Sequence, residues 1–168
     1  MLIRDEIAGD AAAISAVVEN AFAGTVYSDG TEPAIVAGLR DAGAMTLSLV
    51  ADVDGEVAGH IAFSPVTVAG AAGDWLGLGP LAVDPARQRQ GIGTALVEAG
   101  LVRLRTRGHG GCVVFGDPAY YRRFGFAPAR SMTLKGAPAG YFMILPFGTA
   151  IPAGEVRFHD AFGVASGD

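Results

Sequence analysis

Cysteine is almost missing: Cys112 stands alone among 168 residues. No internal disulfide can form, so stability has to come from an apolar core. Charge is sparse as well, with Asp, Glu, Lys and Arg making up 17% of the chain and an acidic balance of −5. A chain so poor in charge is not built to stay disordered, and one with an acidic surplus lacks the basic face that nucleic-acid phosphates require. The histidines, His60, His109 and His159, lie far apart, and no Cys/His cluster has ligand spacing, so no metal site is expected. No apolar run approaches the ~18 residues of a membrane span, and the N-terminus has no leader-like pattern. The expectation is a cytoplasmic protein with neither a membrane nor a nucleic-acid partner.

What the chain does have is apolar content, 51%, and 25 glycines. That is enough for one globular domain over residues 1–168, with about 159–168 as a frayed tail. Leu2-Ile3-Arg4 reads as a short strand. Asp10 then stands as an N-cap before Ala11 to Phe22, where Ile14, Val17, Val18, Ala21 and Phe22 recur at helical spacing. A second helix runs from Thr31 to Asp41, with Pro33 in its first turn. Thr46 to Val53 and Glu56 to Val68 are β-rich and meet at Asp54-Gly55, a two-residue hairpin signal. In the strand Asp74 to Val83, Gly79-Pro80 demands a break or a bulge, because proline has no N–H to give a ladder.

From Leu81 the chain runs as an apolar strand, a stop at Asp84-Pro85, the polar loop Arg87 to Gly91 and the opening of a helix to Arg107. The first amides of a helix have no intrahelical partner, and the aligned peptide dipoles leave about half a positive charge there. Such a place suits a phosphate, and Gly91 and Gly93 would let main chain approach it with no Cβ in the way. The wholly apolar Cys112 to Phe115 reads as a strand covered on both faces, with Cys112 in the core. Asp117-Pro118 starts a short helix that Gly125 closes, Ser131 to Leu134 and Tyr141 to Pro146 are later strands, and Glu155 to Phe158 is either an edge strand or a packed arm. A strand–helix–strand unit preceded by a hairpin makes a mixed α/β sheet.

Gln88-Arg89-Gln90-Gly91-Ile92-Gly93, between an apolar strand and a long helix, resembles the Q/R-x-x-G-x-G/A loop of the GNAT superfamily of N-acetyltransferases. Gly59-His60-Ile61-Ala62-Phe63-Ser64-Pro65, Gly79-Pro80-Leu81-Ala82-Val83 and the block Gly116 to Phe126 look like its YhbS-like branch, and the resemblance covers roughly Leu2 to Phe162. It implies a mostly antiparallel sheet of about six or seven strands, about four helices, and a splayed parallel strand pair. It also implies acetyl-CoA as co-substrate, with pantetheine along the backbone of Leu81, Ala82 and Val83. Pyrophosphate would then lie on the loop Gln88, Arg89, Gln90, Gly91, Ile92, Gly93 and Thr94. Tyr27, Asp29 and Glu32 become substrate-side candidates. Many members carry an asparagine after the fifth strand; this chain has Gly116-Asp117-Pro118 there, so no such contact is carried over.

Acetyl transfer from a thioester needs a deprotonated amine and an acid for the leaving thiolate, not a protein nucleophile. Tyr121 matches the family's Tyr-x-x-x-Gly-Phe spacing and is the acid candidate, with Tyr120 as the fallback. His60 is a base candidate, its ordinary pKa near 6.5 being suited to the task, with Asp74 and Glu32 as others and a structural, hydrogen-bonded histidine as the alternative. The expected acceptor is a small-molecule or peptide amine, on a monomer or homodimer. A non-catalytic acyl-CoA-binding module is the competing reading.

Overall fold

The computed structural model describes residues 1–23 and 30–166. Among these, the elements in chain order are β1 (Leu2–Asp5), α1 (Ala11–Phe22), α2 (Glu32–Asp41), β2 (Leu47–Val53), β3 (Glu56–Val68), β4 (Ala71–Val83), α3 (Ile92–Thr106), β5 (Gly111–Phe115), α4 (Pro118–Tyr121), β6 (Met132–Thr133), β7 (Phe142–Pro146), β8 (Gly154–Arg157) and α5 (Asp160–Ser166). The sheet order is β1-β2-β3-β4-β5-β7, antiparallel at every step except the parallel pair β4 and β5. β8 extends it at the far end of β3 and pairs in parallel with β6. Eight strands and five α-helices thus stand where the sequence suggested six or seven and about four.

The β2–β3 connection forms as its dipeptide demands. Asp54 and Gly55 have φ of 53° and 83°, the left-handed pair that a tight hairpin needs to match strand twist. Alternation along the strands then builds two cores. Leu47, Leu49, Ile61, Phe63, Leu76 and Leu78 pack against Leu96, Val97, Leu101 and Leu104 of α3. On the other face Val50 and Ala82 meet Ile14, Val17, Val18 and Val36 of α1 and α2. Each such large side chain, taken fully out of water, contributes about 1.5–3 kcal/mol. Helix α3 lies so close to the sheet that a Cβ at Gly100 would collide with the Phe63 ring.

Two irregularities in β4 shape the site. Ile61 faces Leu81 and Phe63 faces Leu78, so two steps on β3 span three on β4, and the extra residue is the bulge expected at Gly79-Pro80. Just before it, pairing with β5 stops: Trp75, Leu76 and Gly77 face Gly111, Cys112 and Val113, and nothing beyond pairs although both strands continue. The parallel pair therefore splays.

Two sequence expectations need correction. The segment after Phe158 is not frayed through Ser166; it forms α5, whose Ala161 is buried in a small core with Ile35 and Leu39 of α2, against Gly38. A Cβ at Gly38 would stand 3.1 Å from that of Ala161, so the glycine lets α5 approach closely. Asp10 stands at the start of α1 but does not cap it with its side chain. Its carboxylate instead accepts from Arg4 at 2.8 Å and from the Ile7 amide at 2.8 Å. A charge-assisted pair outcompetes a lone capping bond.

Candidate active site

The opening of α3 is left electrically unfinished. Its first hydrogen bond runs from the Ala95 amide to Gly91 O at 3.0 Å, and the amides of Ile92, Gly93 and Thr94 find no acceptor among the described residues. Gly91, at φ 82°, turns the chain into the helix. The preceding loop is pinned on both sides. Asp84 accepts from the Ala86 amide at 3.0 Å, Gln88 Nε2 donates to Val83 O at 3.2 Å, and Arg87 pairs with Glu56 at 3.1 Å. Arg87 is thereby drawn to β3, while Arg89, held at φ 64°, lines the space in front of the helix.

That space is a cavity of about 690 Å³ lined by Ala21, Phe22, Leu81, Val83, Gln88, Arg89, Gly91, Ile92, Gly93, Thr94, Tyr120 and Arg123. Eight of the ten residues assigned to the cofactor by sequence line it. Ala82 does not, because alternation turns it to the α1 face, and Gln90 is exposed outside. Four lining residues escaped the sequence reading as groove residues. Ala21 and Phe22 figure in the sequence only as part of a helix's apolar stripe, and Tyr120 only as a fallback acid. Arg123 carried one usable signal, its i, i+3 spacing from Tyr120. Its guanidinium lies 4.5 Å from the centre of the Tyr120 ring, and its Nε donates to Tyr120 O at 2.9 Å. The Tyr120 hydroxyl in turn closes over Gly93, where an added Cβ would be 2.9 Å from it.

Tyr121 does not line the cavity. Its ring sits against Gly116, where a Cβ would come within 2.6 Å, and meets Tyr120 and Phe126 edge-on at 5.0 and 5.9 Å. Burial, with smaller contributions from Tyr120, Cys112 and Asp117, holds its phenol above its ordinary pKa, so it keeps its proton at neutral pH. Cys112 is fully buried and burial pushes its thiol up, as befits a core residue.

The base candidates scatter. His60 is fully buried on the α1 face of β3, opposite Ala82, and burial lowers its pKa to about 4. Asp74 lies toward the opposite end of β4, seven residues or about 20 Å along the strand from Leu81. Glu32 opens α2 and does not line the cavity. Tyr27 and Asp29 lie outside the described residues. Among the described residues no group of three or more potential metal ligands comes together, and no helix is long and apolar enough to cross a membrane.

A splayed parallel pair leading to a helix start with free amides is matched by the comparisons. Residues 16–126 match the acetyltransferase (GNAT) family. The chain belongs to that family. It is 43% identical over 136 residues to the uncharacterised N-acetyltransferase YhbS of Escherichia coli K12, covering 80% of this chain and 78% of that one. Among solved structures, a GNAT family acetyltransferase of Brucella melitensis in complex with acetyl-CoA superposes with a TM-score of 0.86 at 51% identity, over 96% of this chain and 97% of that one. Escherichia coli YhbS in complex with CoA gives 0.87 at 37%, over 96% and 91%. The branch suggested by the sequence blocks is thus the one found.

Proposed function

We propose that this chain, acting as one domain, transfers the acetyl group of acetyl-CoA to a primary amine by direct attack in a ternary complex. The observation that carries this reading is the row of unpartnered amides at the start of α3, opening onto the cavity beside the splay. Anions are stabilised at such a terminus by both the free N–H groups and the helix dipole. The main-chain amides along Gln88, Arg89, Gln90, Gly91, Ile92, Gly93 and Thr94 hold the pyrophosphate, the Gln90 side chain pointing away from it. The main chain of Leu81, Ala82 and Val83 runs beside the pantetheine arm. Gly91 and Gly93 keep the cradle free of Cβ atoms, which is the fit such a ligand requires. Support comes also from the two similar structures that hold CoA and acetyl-CoA.

Tyr121 supplies the proton to the departing thiolate, and Tyr27, Asp29 and Glu32 border the acceptor. The acceptor is a small-molecule or peptide amine, and the protein works in the cytoplasm, as monomer or homodimer, with its thiol reduced. A second reading follows from Tyr121 lying off the cavity while Tyr120 lines it: Tyr120 is then the acid, or the chain binds acyl-CoA without turning it over. Release of free thiol from acetyl-CoA, followed across polyamines, amino acids and peptides with free N-termini, tests the proposal. Thiol release with an acetylated product is expected. Tight acetyl-CoA binding with no product from any amine would hand the lead to the binding module.

A further inference from the structure

On the sheet face away from α3, polar side chains from four parts of the chain line up. His60 on β3 is fully buried, with Nε2 2.8 Å from Ser48 Oγ on β2. The Ser48 hydroxyl donates to Oε1 of Glu6, just past β1, and Glu6 accepts from Arg40 at the end of α2 at 3.1 and 3.3 Å. A hydroxyl has one hydrogen to give. Ser48 gives it to a carboxylate held by Arg40, so toward His60 it can only accept, and the ring hydrogen sits on Nε2. Nδ1 is left as a bare lone pair, buried and without a partner among the described residues.

Leaving a buried acceptor unmet costs about 1–3 kcal/mol, so its position matters. His60 faces Ala82, whose neighbours Leu81 and Val83 line the cavity, and the bulge at Gly79-Pro80 begins two residues further along β4. Gly79 is buried, yet a Cβ there would meet nothing within 4 Å, so there is open space beside the bulge. At its other end the line surfaces: Ser48, Glu6 and Arg40 line a second cavity of about 350 Å³.

We propose that His60, Ser48 and Glu6 form a proton path from the bulge in β4 to this second cavity, with His60 Nδ1 receiving the proton that the acceptor amine must lose. The proposal rests on the transferase reading above. As the amine nitrogen bonds to the acetyl carbon and the carbon–sulfur bond breaks, the thiolate takes its proton from a tyrosine. The surplus proton on nitrogen passes to Nδ1 over water in the open space beside the bulge. Nε2 gives its hydrogen to Ser48 Oγ, Ser48 gives its own to Glu6, and Glu6 releases one to water. Two protons move: the one from nitrogen leaves to water through Glu6, and the tyrosinate regains one from water, so no charge stays behind; the ring is left as its other tautomer and re-equilibrates between turnovers. Glu6 and Arg40 are the charged groups that act on the ring, and burial disfavours a lasting imidazolium, as a through-path requires.

Two measurements test this. Nitrogen-15 spectra of the imidazole should show hydrogen on Nε2 and none on Nδ1; hydrogen on Nδ1 overturns the path whatever the activity. In the turnover assay, with the best of spermidine, lysine and an alanyl peptide as acceptor, Ser48→Ala should lower kcat by about 10–100-fold and leave KM for acetyl-CoA unchanged. Ser48→Thr, which restores a hydroxyl, should recover most of the loss, something a purely structural serine would not require. If Ser48→Ala does not fold, Glu6→Gln, which accepts a hydrogen bond but no proton, should show the same loss. An undiminished kcat in either folded variant overturns the path and leaves the transferase reading standing; a wild type that acetylates none of the three amines overturns both.

Discussion

The start of α3 and the polar line under α1 treat unmet hydrogen-bonding groups in opposite ways. At the helix start, the amides of Ile92, Gly93 and Thr94 have no acceptor among the described residues and stand at an open groove. In the interior, Ser48, Glu6 and Arg40 are tied to one another, and His60 Nδ1 is left out, as is Ser64 Oγ four residues along β3. The lesson is one of place. An unpaired donor at the surface costs little and marks a site only through its geometry, whereas an unpaired acceptor in the core is expensive and marks one by its persistence.

The comparison is sharpened most by Tyr121, which belongs to neither region. Tyr121→Phe keeps the ring against Gly116 and deletes only the proton donor. If the chemistry lies on its side of the sheet, turnover by thiol release should fall about 10²–10⁴-fold with acetyl-CoA affinity within a few-fold. An unchanged rate would move the acid to Tyr120. The next effect concerns the interior. His60 has a folded pKa of about 4 against 6.5 unfolded, so as pH falls the unfolded chain takes up its proton first. The stability this gives is full above about pH 6.5 and is lost by about pH 4, an amount on the order of 3 kcal/mol. Urea unfolding across that window should therefore show a shallower acid limb in His60→Gln than in the wild type; parallel curves would place the ring in a far wetter setting than the structure gives it.

The groove responds to bulk. In Gly93→Val the new side chain meets the Tyr120 hydroxyl, and calorimetry should find acetyl-CoA bound about 10–100-fold more weakly, or 1.4–2.7 kcal/mol, with circular dichroism unchanged. Equal affinity would remove the helix start from the binding site. The smallest expected effect lies away from both regions. Asp10→Asn keeps an acceptor for the Ile7 amide but loses the charge that faces Arg4, and thermal unfolding should report a loss of about 1 kcal/mol or less.

The two regions also differ in how far they could be read in advance. The groove is local: Gln88 to Thr94 is one stretch, and its glycines, the bulge at Gly79-Pro80 and the hairpin at Asp54-Gly55 follow from backbone rules that act over a few residues. The polar line is not local. Glu6, Arg40, Ser48 and His60 meet only because β1, β2 and β3 pair in one register and α2 ends above them, and no spacing in the sequence encodes that meeting. His60 could be set on the correct face by counting in twos, but its partners could not be named. Asp10 failed for a related reason. Its local role as a cap lost to Arg4, six residues away on a strand edge. The helix α5 was hidden in the same way, since a short segment acquires its helicity by docking Ala161 on α2.

The early end of pairing between β4 and β5 has a consequence of its own. An open sheet ordinarily has two edges; this one has two more inside it, Leu78 to Val83 along one strand and Val114 to Phe115 along the other. Internal edges carry the same hazard as outer ones, because unpaired main-chain groups recruit foreign strands. Here the hazard is contained by length and by one residue. The β5 edge offers only two positions, and Pro80 removes a donor from the β4 edge. A protein strand gains too little from so short a template to stay, whereas a slender, flexible molecule with a few amides of its own fits a gap of that size. The same opening that admits such a guest is too small to start an aggregate.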